Sequence, residues 1–382
     1  MTIYLDNAAS TPVADEVLAI AAQVSREDYA NPSASHPAGA AARRRIATAR
    51  DELLAAIGDP AGTSGDLIWT SGGTEGNALG VIGAARAAGP GAVVVSALEH
   101  PAVAASAASL GDGWPVRVAP STSDGVIDAG ALAALVDADT RVVAVMLVSN
   151  ELGTVQPVAE IARAVRARAP GVHVHCDATQ ALGKIAIDVG ALGVDSLGVA
   201  GHKLHGPKGT GALWLRHGAA LVPFWGGGGQ QGGKRQGTQD APGAAGLGRA
   251  AARAVAAMPD ATARWREMAA VLVRAAEDSG VPWRRLGDAR ATAPHIVSLA
   301  FERVSADGLR NVLASRGVIA SSGSACATPG AKPSGTLAAI GLPATWGMVR
   351  LSFGLQTTHD EVAEAAAVLR DVVRELGPPA SD

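Results

Sequence analysis

The sequence predicts an α/β protein, with a large domain built on a mainly parallel sheet covered by helices and a smaller α+β domain after it. Two features predict this. Through the middle of the 382-residue chain, short β-branched runs alternate with alanine-rich helical stretches, the pattern of strand–helix–strand crossovers. After about residue 258 that alternation stops and a long helical segment leads into isolated strands. Length and composition agree. At roughly 100–200 residues per domain the chain holds two or three, or one large domain with a satellite. With 48% hydrophobic and 18% charged residues it can bury a sizeable core.

In order along the chain, "DLIWTSGG" (66–73), "GAVVVSA" (91–97), "TRVVAVMLVSN" (140–150), "GVHVHCDA" (171–178), "VDSLGVAG" (194–201) and "GALWLR" (211–216) read as strands. Between them "TEGNALGVIGAARAA" (74–88) and "PVAEIARAVRARA" (157–169) read as helices. The later part opens with the helical "DATARWREMAAVLVRAAEDSG" and continues with "PHIVSLAFE", a helix from about 306, "GVIASSGSAC" and "MVRLSFG". No internal repeat stands out, and the only compositional bias is toward alanine.

Net charge is −3 and no basic stripe or tail is present, which argues against direct nucleic-acid binding. Two cysteines, Cys176 and Cys326, cannot form a disulfide framework and suit a reducing compartment. The opening "MTIYLDNAAS" has neither the basic start nor the apolar stretch of a secretory signal. No window offers about 18 uninterrupted apolar residues. A soluble, cytoplasmic protein without membrane contact is the expectation.

The stretch richest in chemistry is "AGHKLHGPKGTGALWL" (200–215). Lys203 follows a strand directly, is flanked by histidines and meets a Gly/Pro turn. A lysine that attacks carbonyls needs such a fixed, poorly solvated place at the carboxyl end of a sheet; an ordinary surface lysine is the alternative. In "HVHCDATQALGK" (173–184), strand alternation puts His173, His175 and Asp177 on one face and Val174 and Cys176 on the other. Asp177 there could keep a cationic ring nitrogen protonated, or cap the following helix. "TSGGTEGNALG" (70–80) turns through glycines from strand into helix, a place where N–H groups, Ser71 and Thr74 can hold a phosphate. His100, in "SALEHPAV", follows a strand and precedes Pro101; it suits a ring face or a proton shuttle, or a purely structural place. Cys326 lies between a Ser/Gly turn and "ATPGAKPSG", punctuation that fits a swinging loop.

Taken together, "YLDNAASTP" (4–12), "NPSASH" (31–36), "TSGGTE", "EH", "SNELGTVQP" (149–157), "HCDATQ", "GHKLHGPKG", "GGGQQGGKRQGT" (227–238) and "SSGSAC" resemble the class V, fold-type-I enzymes that use pyridoxal 5'-phosphate (PLP). More narrowly, they are similar to group I cysteine desulfurases of the NifS/IscS kind. The resemblance covers nearly the whole chain in order. It implies a large PLP-binding domain over 15–258 with a mainly parallel seven-stranded sheet. Residues 1–14 and 259–382 would form the small domain carrying the cysteine loop.

The resemblance also implies roles. Lys203 would anchor the cofactor covalently, Asp177 would pair with its ring nitrogen and Gln180 with its phenolic oxygen. His100 would stack on the ring and move protons. Gly73, Thr74 and His202 would hold the phosphate, and Thr238 would reach the phosphate of a neighbouring subunit in a homodimer. Arg350 would clamp the substrate carboxylate, for which a guanidinium fork is suited, with Asn150 and Asn31 shaping the same pocket. Lys203 would take the Cα proton of L-cysteine, and Cys326, as thiolate, would attack its sulfur to leave a persulfide and L-alanine. No metal is implied. The sulfur would pass to an acceptor protein: an iron–sulfur scaffold (iron–sulfur cluster assembly), or a protein of tRNA thiolation, cofactor synthesis or DNA phosphorothioation. A selenocysteine lyase or another class V aminotransferase is the alternative. Two departures bear on the phosphate: Ala200 stands where the pattern has Ser or Thr, and Gln236 replaces a small residue in "RxGT". One missing neutral hydrogen bond is worth about 1 kcal/mol, so looser PLP retention is expected, not loss of function.

Overall fold

The computed structural model describes residues 2–322 and 335–377. Its strands are β1 (Ile3–Tyr4), β2 (Gly65–Thr70), β3 (Ala92–Ser96), β4 (Val116–Ala119), β5 (Thr140–Met146), β6 (His173–Asp177), β7 (Ser196–Ala200), β8 (Gly211–Arg216), β9 (Trp283–Arg285), β10 (Ile296–Glu302), β11 (Val318–Ile319) and β12 (Trp346–Ser352). Seven of them form one sheet in the order β2-β8-β7-β6-β5-β3-β4. Neighbours are parallel from β7 through β6, β5 and β3 to β4, whereas β8 runs antiparallel to both β7 and β2. The expected mainly parallel, helix-flanked, seven-stranded sheet is present. β3 ("AVVVS") is buried at every position, as a strand covered on both faces must be.

Six of the seven strands coincide with the β-branched runs of the sequence. The seventh, β4, does not stand out there. It has four residues, sits at the sheet edge half-exposed and lies between Pro115 and Pro120, so it lacks the apolar run that marks a covered strand.

A second sheet, β12-β10-β9, is antiparallel, and β1 pairs with β11 in parallel. The two largest groups of buried apolar residues form one core that includes the large sheet and another around Ile3, Leu5, Trp265, Phe301 and Phe353. One 37-residue helix, Ala241–Glu277, serves both: Ala244, Leu247 and Ala251 belong to the first core, Trp265, Met268 and Leu272 to the second. Pro259 lies inside it, whereas the sequence places the helix start just beyond that proline. Proline removes one intrahelical hydrogen bond, but packing of both halves holds the helix through it. A Cβ on Gly248 would stand 2.7 Å from the Cα of Ala49, so glycine there lets the helix Pro37–Ala56 approach closely. Among the described residues no helix is long and apolar enough to cross a membrane.

Candidate active site

At the carboxyl ends of the parallel strands, where ligands of open α/β sheets gather, lies a cavity of about 500 Å³. It falls within the size range of small-molecule sites. His100, Asp177, Gln180, Gly73, Thr74, Asn150, His202, Lys203 and Arg350 all line it. The fold thus brings together nine sequence-selected residues from widely separated stretches.

Lys203 closes a single 3₁₀ turn, Gly201–Lys203, directly after β7. Its Nζ donates to the carbonyls of Ala8 (2.5 Å) and Ala9 (2.9 Å). Its own carbonyl accepts from Nζ of Lys184 at 2.8 Å. Lys184 is buried, and burial, with Lys203 nearby, brings its pKa down to about 7. Asp177 ends β6; one oxygen accepts from the Thr179 N–H at 2.9 Å, so it caps the turn and still faces the cavity. His100 likewise does two things. Its Nδ1 accepts from the Ala102 N–H at 3.0 Å, capping the helix Pro101–Ala108, which leaves the neutral ring's proton on Nε2. Burial lowers its pKa, with Asp177 opposing and Lys203 assisting. Gln180 donates from Nε2 to the Ala8 carbonyl at 2.7 Å. For His202, burial, then Lys203 and Lys208, bring the pKa down to about 4.

Arg350, on β12, is 1% exposed. Nη1 donates to the Asn150 carbonyl at 2.6 Å and Nη2 to Asp6 at 2.8 Å. The glycine turn comes from β2. Gly72 has φ +152°, and a Cβ on Gly73 would meet Thr179 Oγ1 at 3.0 Å and the Ala200 methyl at 3.3 Å. Residue 73 therefore has to be glycine if the start of the helix Gly73–Ala78 is to remain open. Thr179 Oγ1 itself is buried and has no hydrogen-bond partner in the protein.

Two selected residues lie elsewhere. Asn31 is exposed and outside the cavity, its side chain accepting from the Ser33 N–H at 2.9 Å. Thr238 is exposed and outside it too. Cys326 lies outside the described residues. Of the two departures, Ala200 lines the cavity, and Gln236 Oε1 accepts from the Gly229 N–H at 2.9 Å, tying its own loop together.

The sequence reading did not select Asp6, Ala8, Ala9, Glu99, Thr179 or Lys184. Ala8 and Ala9 contribute carbonyls, which no side chain advertises. Glu99 lies beside His100, and its carboxyl is inside the protein: Oε1 accepts from Ser96 Oγ (2.5 Å) and the Met146 N–H (2.7 Å), while Oε2 is buried without a partner. Burial, opposed by those two hydrogen bonds and reinforced by Asp177, leaves its pKa pushed up to about 8.

The class V aminotransferase family matches residues 3–364. A cysteine desulfurase from Rhodobacter capsulatus is 36% identical, over 98% of this chain and 97% of that protein. The chain belongs to the class V aminotransferases, in their cysteine desulfurase group. Among solved structures, a NifS-like protein superposes with a TM-score of 0.90 at 30% identity, over 98% of this chain and 100% of the other. SspA in complex with cysteine superposes with a TM-score of 0.80 at 31% identity, over 94% and 100% of the two chains.

The family is PLP-dependent, and the cavity fits that cofactor. A carboxylate (Asp177) and a lysine (Lys203) stand at the ends of adjacent strands, as a protonated ring and its carbonyl anchor require. Helix N–H groups at Gly73 and Thr74 and the unpartnered Thr179 hydroxyl are donors suited to a phosphate. Among the described residues no cluster of His, Cys, Asp and Glu could hold a metal ion.

Proposed function

We propose that this chain converts L-cysteine to L-alanine and carries the released sulfur as a persulfide on Cys326 to an acceptor protein. The observation that carries the reading is one cavity holding Lys203, Asp177, His100 and the buried guanidinium of Arg350.

PLP, when bound, supplies the electron sink that makes the substrate's Cα proton acidic. Lys203 Nζ anchors the cofactor and takes that proton. Asp177 would keep the ring nitrogen protonated, and Gln180 would hydrogen-bond the phenolic oxygen. Gly73, Thr74 and His202 hold the phosphate. Arg350 would bind the substrate carboxylate beside Asn150. His100, neutral and carrying its proton on Nε2, would stack on the ring and move protons. Cys326 attacks the substrate sulfur as thiolate. The carbon–sulfur bond breaks, its electron pair stays with carbon and is protonated to give alanine, and a sulfur–sulfur bond forms on Cys326. Cys176 is unsuited to that step: it is fully buried, and burial, then Asp177 and Glu99, pushes its thiol well above the usual range.

The homodimer belongs to this reading, with Thr238, exposed on its own subunit, reaching the neighbour's phosphate. So does the division into a PLP-binding unit (15–258) and a smaller unit (1–14 with 259–382), supported by the two separate cores. A cytoplasmic location fits a chain with two cysteines. The acceptor belongs to iron–sulfur assembly, tRNA thiolation, cofactor synthesis or DNA phosphorothioation.

The test is Cys326→Ala with cysteine as substrate. The variant is expected to keep its PLP absorbance and to form neither alanine nor sulfide in the presence of a reductant. Full cysteine turnover by that variant would overturn the persulfide route, and turnover of selenocysteine alone would make the enzyme a lyase for that amino acid.

A further inference from the structure

β12 positions Arg350, and its register also decides which group neutralises Arg350. Asp6, just beyond β1, bridges Ser352. Strand alternation puts Arg350, two residues earlier, on the same face as Ser352. Asp6 Oδ1 consequently meets Arg350 Nη2 at 2.8 Å, with the two side chains 17% and 1% exposed. The remaining faces of the guanidinium are unequal. Nη1 is taken by the Asn150 carbonyl, whereas Nε is buried and has no hydrogen-bond partner in the protein. The two acids that line the cavity are engaged elsewhere: Glu75 pairs with Arg235 at 2.8 Å, and Asp177 accepts from the Thr179 N–H.

A buried guanidinium with no counter-ion would hold any α-carboxylate tightly. L-Cysteine and L-alanine carry the same carboxylate, so an unopposed clamp would retain the product as firmly as it recruits the substrate. Binding that does not distinguish ground states along the reaction adds nothing to turnover.

We propose that Asp6 is a positioning residue that sets the affinity of the site for α-amino-acid carboxylates. It shares the Arg350 guanidinium with the incoming carboxylate, leaves it the Nε side, and weakens its hold enough for L-alanine to leave. The proposal rests on the reading of Arg350 as the carboxylate's partner.

The test is calorimetric binding of L-alanine, and of ethylamine as the same amine without a carboxylate, to the PLP-loaded enzyme. Asp6→Asn keeps an oxygen for Nη2 and removes the charge. It is expected to bind alanine about tenfold tighter with ethylamine unchanged, the scale set by removing one of two like charges that share a partly buried cation. KM for cysteine should fall with it, and kcat should fall as alanine release slows. A merely structural place for Asp6 would leave the alanine-to-ethylamine ratio at its wild-type value or lower it, and either result overturns the proposal. The ratio is insensitive to the fraction of protein folded, and Asp6→Ser provides a second variant. Arg350→Gln separates the two readings. If it keeps the preference for alanine, Arg350 is not the carboxylate's partner and both readings fall. If it loses the preference while Asp6→Asn keeps the wild-type ratio, only the proposal for Asp6 falls.

Discussion

Glu99→Gln isolates a charge that the fold suppresses beside Asp177. The Glu99 pKa, pushed up to about 8, means that at neutral pH the folded protein holds this carboxyl protonated while the unfolded chain ionises it near 4.5. A group raised in the folded state adds stability fully below its unfolded pKa and loses it as pH rises through the folded value. At about 1.4 kcal/mol per unit, Glu99 supplies roughly 2 kcal/mol more stability at pH 6 than at pH 8. Glutamine has the same shape, keeps an oxygen for Ser96 Oγ and the Met146 N–H, and does not titrate. Urea midpoints of the two PLP-loaded proteins, compared at pH 6, 7 and 8, give the difference directly. Wild type should lose about 2 kcal/mol relative to Glu99→Gln across that window, with the glutamine protein retaining cofactor and activity. Parallel curves would refute the reasoning, because Glu99 would then be ionised throughout the window and Asp177 would face a second negative charge.

Two other substitutions probe the support behind Lys203 and the cavity wall at Gly73. Lys184→Met should trade activity for stability: holding a lysine at a pKa of about 7 costs about 4 kcal/mol at neutral pH. Set against the lost bond to the Lys203 carbonyl, the net gain is about 2 kcal/mol. The gain should shrink as pH rises from 7 toward the unfolded lysine's own pKa of 10.5, because there the folded lysine is already neutral and the unfolded one increasingly so, and kcat should drop several-fold as Lys203 loses its brace. A melting series across pH with parallel kinetics checks this, and a gain that grows with pH would sink it. Gly73→Ala sets a methyl 3.0 Å from Thr179 Oγ1, where the proposed reading puts the phosphate, so PLP affinity should fall about tenfold, the scale of one lost charge-assisted hydrogen bond, while the apoprotein's melting temperature stays nearly unchanged. Equal PLP affinity in an absorbance titration would place the phosphate elsewhere.

The parts of this site legible in the sequence are those where local pattern and side-chain chemistry coincide. Asp177 closes one strand, and Lys203 and His100 follow shortly after two others, so the residues that end the strands mark the carboxyl edge of the sheet. The unread parts depend on contacts that local periodicity does not encode. β1 has two residues, too few to show any period, yet its pairing carries Asp6 to a partner 344 positions away. The helix that joins the two cores crosses a proline, and only packing on both sides explains why. Glu99 reads as an ordinary acid until its carboxyl is seen to be buried.

These omissions converge on one short stretch. Ala8 and Ala9 give carbonyls to Lys203, Ala8 also receives Gln180, and Asp6 holds Arg350. Tyr4 donates to the Ser10 carbonyl at 2.8 Å and so closes the stretch on itself. Ile3 and Leu5 lie in the smaller core, while Thr11 Oγ1 donates to the His202 carbonyl and accepts from the His205 N–H, on the two sides of Lys203. Residues 3–11 therefore fasten the smaller core to the lysine turn. The lysine end of the pocket and the carboxylate end are set by the same segment, so a shift of one register step in β1 would displace both together.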